Sequence, residues 1–253
     1  MSTPYTTTKE MIPVQEYIRE PVNLVSYLAH GWELHSAVHL TPAEERTMVR
    51  EPAHAIPDSL AARIGKLRVS VVPYVGCFAA GDAICFSNPP GESHTAVWVE
   101  TEERTHLVLA CRQVDAHDTG FEFLASVAQL AVARMSPAEM QSYGRLLEGD
   151  LEGGVPGEID REALDAKAEY LKQRGQPTGK DDPFERYRGV SLASTLAEYM
   201  HGLWHDVQIR VGPEHLPVAQ LQQRMSALAE IFPPNPGYDL FARELEGTKA
   251  SKT

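Results

Sequence analysis

The sequence predicts an α+β fold, and three observations predict it. Polar and apolar residues alternate over 33–40, turn-bounded β runs fill much of 67–112, and most of the chain beyond residue 121 reads as capped, amphipathic helix. The expected architecture is a small antiparallel sheet, built from about 33–40 and 67–112, flanked by helices and followed by a mainly helical C-terminal half. With 253 residues the chain is long enough for one large core, and a single domain over 1–253 is expected. The alternative is a β-containing domain over 1–175 and a helical tail over 183–240, joined by the polar segment Gln176 to Asp182. Residues 1–12 and 246–253 are expected to be mobile.

Each element has a local reason. Pro21 suits the first turn of a short helix through Val22, Leu24, Val25 and Leu28, with Gly31 past its end. In 33–40, Leu34, Ser36, Val38 and Leu40 share one face, and Glu33, His35, Ala37 and His39 share the other. Thr41-Pro42-Ala43-Glu44 is a capping box: a hydroxyl for an orphan N–H, proline at the first helical position, and a carboxylate reaching back. Four β runs follow, 67–79, 83–87, 96–100 and 106–111, and their turn-forming separators suggest an antiparallel meander. Pro73 cannot donate a ladder hydrogen bond, so the first run must be an edge strand, bulged, or split in two.

Phe121 to Met135 reads as a core helix. Ser136-Pro137-Ala138-Glu139 opens another, to about Glu148, before an acidic, glycine-rich loop over 149–157. Asp160 caps a helix to Lys172, Asp182-Pro183-Phe184-Glu185 repeats the capping logic, and Pro217 to Ile231 forms a last helix stopped by Phe232-Pro233-Pro234.

Charge and composition exclude some function classes. A net charge of −12 with no basic run argues against nucleic acid, whose affinity comes from clustered lysine and arginine. No stretch has the roughly 18 apolar residues of a membrane span. The first residues show neither the basic nor the apolar region of a secretory signal, and a cytoplasmic protein is expected. Cys77, Cys85 and Cys111 lie in apolar, strand-like surroundings without CxxC spacing, as free buried thiols do.

One constellation carries chemistry. In Glu198-Tyr199-Met200-His201-Gly202-Leu203-Trp204-His205, spacings of three and four set Ser194, Glu198, His201 and His205 on one helical stripe, apart from Leu192, Leu196, Met200 and Leu203. Two imidazoles one turn apart are a half-site for zinc or another divalent metal. Glu198 is the candidate general base or third ligand, and His215 or Glu214 can return a ligand from the following loop. Metal-bound water would then supply a nucleophile for hydrolysis. The alternative for the same stripe is an ordinary Glu198–His201 contact without metal.

Other motifs fail on spacing. Gly202 after His201 excludes the HExxH zincin pattern, Gly179-Lys180 lacks a Walker A loop, and there is no GxSxG elbow. The 149–154 segment lacks the ligand spacing of a calcium loop. His35 and His39 would stand about 13 Å apart on a strand, too far to share an ion. Two classes of function remain: a divalent-metal-binding, hydrolytic protein acting on a small-molecule or peptide substrate, and a noncatalytic binding or scaffold module whose acidic surface selects a basic protein partner.

Overall fold

The computed structural model describes residues 11–20, 25–174, 182–205, 207, 210 and 212–241. These have the predicted α+β class, with two small sheets and a helical C-terminal half. They divide into two compact units. One takes in the described residues of Met1–Ala53 with Gly65–Ser126, and the other His54–Ile64 with the described residues of Val127–Thr253. Among the described residues, no helix is long and apolar enough to cross a membrane.

In the first unit the single antiparallel meander is corrected. Strands β3 (Glu33–Ser36), β4 (Leu67–Val72) and β9 (Thr105–Ala110) lie side by side and parallel, bordered by antiparallel β2 (Ser26–Tyr27) and β8 (Ala96–Glu100). The reason is the helical crossover between β3 and β4, which returns the chain to run in the same direction. The runs in between leave this sheet altogether. β5 (Tyr74–Phe78), β6 (Gly81–Cys85), β7 (Ser93–His94) and β1 (Met11–Pro13) make a second, antiparallel sheet in the order β1-β6-β5-β7. Pro73 does split its run, and it stands between β4 and β5.

Burial follows from this topology. Every residue of β9, and all of β4 except Arg68, is buried, as expected for parallel strands covered on both faces. On one face Val72, Val108 and Ala110 join Val75 and Ile84 of the second sheet and Val14, Tyr17 and Ile18 of the short helix α1 (Val14–Tyr17) and its end. On the other lie Leu34, Val69, Val71, Leu107 and Leu109, all buried. Trp32 is buried too, its indole N–H donating to the Gly65 carbonyl at 2.9 Å and its ring edge-on to Phe123.

Other expectations need adjustment. Where a helix was expected up to Gly31, Ser26–Tyr27 is strand and Ala29–Gly31 a 3-10 turn, while Pro21–Leu24 lie outside the described residues. The strand expected over 33–40 ends at Ser36. The capping box at Thr41 opens α2 (Pro42–Glu45), which continues through a π turn (Arg46–Arg50) into α3 (Glu51–Ala55). Pro52 has no N–H for the Met48 carbonyl, and the Glu51 N–H just before it bonds back to Arg46, five residues away. Met1–Glu10, 175–181 and 242–253, where mobile ends and a domain boundary were expected, are outside the described residues.

The second unit is helical. It contains α4 (Asp58–Ile64), α6 (Pro137–Glu152), α7 (Arg161–Gln173), α8 (Pro183–Trp204) and α9 (Val218–Ile231), with α8 packed on α6, α7 and α9. α5 (Ala116–Val132) contains the point, after Ser126, where the two units are divided. α6 runs four residues past Glu148, so the glycine-rich segment begins as helix. Glu139 completes the Ser136 capping box and also takes both arms of Arg63, at 2.7 and 2.8 Å. That guanidinium, with Ser136, pushes the Glu139 carboxyl down to about 2. Glu139→Gln should cost about 1–2 kcal/mol at neutral pH, from a charged bidentate pair and half a cap. Because the folded value lies below the unfolded one of roughly 4.3, the advantage of Glu139 holds above that pH and fades as pH falls toward 2. Urea unfolding of both proteins at pH 7 and pH 3 checks the trend.

A buried charge cluster ties these helices together. Arg224 of α9 is fully buried, its Nε 3.0 Å from Asp150 and its two terminal nitrogens 2.7 and 3.1 Å from the oxygens of Glu158. It also donates to the Ser191 hydroxyl, and the Tyr187 hydroxyl donates to Glu158. Lys167, also buried, donates to the carbonyls of Val155 and Gly157 and sits 3.5 Å from Glu158. Burial would raise the Glu158 carboxyl, but Arg224, Tyr187 and Lys167 outweigh it and hold it below the usual range.

Candidate functional site

The helix predicted to hold metal begins where the sequence says. The Asp182 carboxylate accepts the Phe184 N–H at 2.9 Å, and Pro183 takes the first helical position. Leu192, Leu196, Met200 and Leu203 are buried as expected, but so are Ser191, Thr195, Tyr199 and His201. α8 is thus a core helix covered on several sides; of its polar stripe Ser194 and Glu198 are half-buried, His201 is buried, and His205, past the helix end, is exposed.

This placement gives the four predicted residues different surroundings. His201 lies inside, its Nδ1 3.8 Å from a Glu198 oxygen. His205 is exposed and is the first residue past the helix, in extended conformation, with its N–H bonded to the His201 carbonyl. The two imidazoles stay close, with centroids 5.8 Å apart, and the Trp204 ring packs on His205 at 4.1 Å. His215 belongs to a different local structure, a short parallel bridge to Glu158, and its Nε2 is 3.3 Å from Glu214. Among the described residues, Glu198, His201, His205 and His215 are not part of any group of three side chains whose ligand atoms converge.

Convergence occurs elsewhere. Among the described residues, one set of three His, Cys, Asp or Glu side chains has its ligand atoms all within 4.8 Å of one another: Cys77, Asp82 and His94. Each comes from a different strand of the second sheet. The two-residue turn Ala79-Ala80 pairs Cys77 of β5 with Asp82 of β6, while His94 of β7 pairs with Val75, two residues along on the same face as Cys77. Gly81, at φ +110°, closes the hairpin, and the Cys77 N–H bonds to the Glu92 carbonyl, which holds β7 in register. Asp82 reaches His94 Nε2 at 3.4 Å. Cys77 is half-buried while Asp82 and His94 reach solvent, so an ion could enter from outside.

A thiolate, an imidazole and a carboxylate together suit a borderline divalent ion, zinc above all. The three sit at the polar rim of the apolar patch formed by Ile12, Val75 and Ile84, which share their face by register. Cys85 and Cys111 are buried, and burial raises the Cys111 thiol, so neither has the exposure of Cys77. All three cysteines are free.

Of the two other histidines of interest, only His35 lies on the first sheet. The Tyr17 hydroxyl meets His35 Nδ1 at 3.0 Å, while His39 is exposed beyond the end of β3. Burial, followed by the charge of Arg68, lowers His35. No family model matches the chain, and neither does any curated protein or solved structure.

Proposed function

We propose that this protein binds a divalent ion of the zinc class through Cys77, Asp82 and His94, with a coordination position left for water and hydrolysis as the chemistry such water supports. The observation that carries the reading is the convergence of three chemically suitable ligand atoms, within 4.8 Å, from three adjacent strands. Three protein ligands and one water is the usual arrangement of catalytic zinc, and the metal brings the water's ionisation toward neutral pH. The ion would also fasten β7, a two-residue strand, to the β5–β6 hairpin. Free thiols suit a reducing compartment. The net charge of −12 favours a basic or small-molecule partner over nucleic acid.

Cobalt(II) titration of the apo-protein tests this. One ion per chain is expected, with the charge-transfer absorption of a cobalt–thiolate bond, and affinity should rise with pH because the bound thiol gives up its proton. Cys77→Ser should abolish that absorption. Asp82→Ala and His94→Ala should each weaken binding by more than about tenfold, since even outer-shell partners are worth that much. The proximity of His201, His205 and Glu198 favours a second location on α8. Ion binding that survives Cys77→Ser and is lost in the His201→Ala/His205→Ala double variant would move the site there.

A further inference from the structure

The parallel strands of the first sheet align a charged row. Glu33 of β3 is opposite Arg68 of β4, and Arg68 is opposite His106 of β9, so the three share one face. Arg68 directs Nε and a terminal nitrogen at Glu33 Oε2, both at 2.7 Å, and Arg104, just before β9, directs another nitrogen at the same oxygen at 2.5 Å. Two guanidinium groups thus share one carboxylate oxygen, in a chain whose net charge is −12. The three side chains remain 18–22% exposed, so solvent reaches them. The next row along, His35 opposite Ser70, borders the apolar cluster that closes the far half of this face.

His106 is the anomaly. It is only 7% exposed, and its Nδ1 is buried with no hydrogen-bond partner in the protein. Leaving such a group unsatisfied is costly, and buried polar atoms of this kind call for an explanation beyond the fold.

We propose that Arg68, Arg104 and His106 form a binding site for the oxyanion head of a small ligand, a carboxylate or a phosphate, with Glu33 holding the two arginines in place until the ligand displaces it. The planar guanidinium fork matches both anions, and two guanidinium groups already converge on one carboxylate oxygen, that of Glu33. Burial, then Arg68 and Arg104, hold His106 below its ordinary range, opposed by Glu33 and Glu103. An incoming anion adds negative charge beside these cations. It therefore raises the imidazole, and a proton taken up there supplies a donor for binding. Ligand binding should tighten as pH falls from 8 to 6, and His35, which feels Arg68 from the neighbouring strand, should follow more weakly. The site is independent of any ion on Cys77.

Imidazole NMR of the full chain tests the proposal, with inorganic phosphate and succinate titrated separately to distinguish the two anions. The His106 resonance should shift saturably with at least one of them, and its pKa should rise in the bound state. Arg68→Gln and Arg104→Gln, checked for unaltered melting, should each weaken binding by about tenfold, the size of one charge-assisted contact. Glu33→Gln should strengthen it, a result that a merely structural role for the two arginines does not produce. His106→Asn should flatten the pH dependence. The proposal is overturned if neither anion shifts His106, or if Glu33→Gln weakens binding along with the arginine variants.

Discussion

Arg224→Met is expected to lower the stability of the helical unit by about 3–5 kcal/mol, the range for removing one partner of a buried ion pair. The substitution keeps an unbranched chain of similar reach, so the loss is mainly electrostatic. In the native cluster two cations, Arg224 and Lys167, face two carboxylates, Asp150 and Glu158, and the charges cancel. Without Arg224, Lys167 alone remains beside Glu158, and Asp150 loses its 2.9 Å partner. Ser191, which also accepts or donates within this cluster, then loses the guanidinium at 2.9 Å.

The same cluster fixes how the loss depends on pH. Glu158 titrates below its ordinary value when Arg224 is present, so it contributes stability above the unfolded carboxylate value of roughly 4.3, and that contribution disappears as pH falls through the lower folded value. In Arg224→Met, burial is no longer outweighed and the carboxyl rises instead. Protonation then relieves the variant before it harms the wild type, so the gap between them should be widest near pH 7 and narrower near pH 4.5. Denaturant unfolding at the two values decides it: a gap that stays constant would mean that Arg224 acts through packing alone. The double variant Arg224→Met/Glu158→Met should be more stable than the sum of its single variants, because it removes the stranded charge.

The helical half was legible because its signals are local. The hydroxyls of Thr41 and Ser136 and the carboxylates of Asp160 and Asp182 each accept a backbone N–H at the helix start that the sequence marked. Strand existence was legible for the same reason, but strand order was not. Leu67–Val72 and Thr105–Ala110 carry apolar residues on both faces, a pattern of parallel burial, whereas the short turns between the intervening runs pointed to a meander. Both signals were true of different sheets. Nothing local announces that β1 and β7, of three and two residues, complete the second one.

The sites follow the same division. Helical periodicity brought His201 near His205, but it could not show that His201 is buried or that His205 stands past the helix end in extended backbone. The Cys77–Asp82 pairing could have been read from a two-residue turn, whereas His94 arrives through a strand pairing with Val75 that sequence does not encode locally. The Arg224 cluster was invisible for a stronger reason. Asp150, Glu158, Lys167 and Arg224 lie on four separate segments, and all four read as ordinary surface charge until the fold buries them.

Gly157→Ala should be the most damaging single-methyl substitution in the helical unit, with an expected loss of at least about 3 kcal/mol. Two costs combine. Gly157 has φ +67°, a left-handed conformation that costs a residue with a Cβ about 1–2 kcal/mol. In addition, a Cβ there would lie 2.2 Å from the His215 carbonyl oxygen and 2.7 Å from the Glu214 carbonyl carbon, both backbone atoms that cannot rotate away. The 214–216 segment would have to move, and with it the bonds from the Glu158 N–H to Glu214 O and from the Leu216 N–H to Glu158 O, both 3.0 Å. Those bonds position the Glu158 backbone while Lys167 grips the Gly157 carbonyl at 2.9 Å, so displacement here reaches the Arg224 cluster directly. Gly157→Ala and Arg224→Met should therefore be non-additive, their combined loss smaller than the sum, as for two injuries to one network. Gly149→Ala is the control: it lies within α6 with open space around its Cβ position, and it should stabilise by about 0.5–1 kcal/mol through helix propensity. Unfolding measurements on the four variants separate the two ideas, since simple additivity would show that the glycine supports only its own turn.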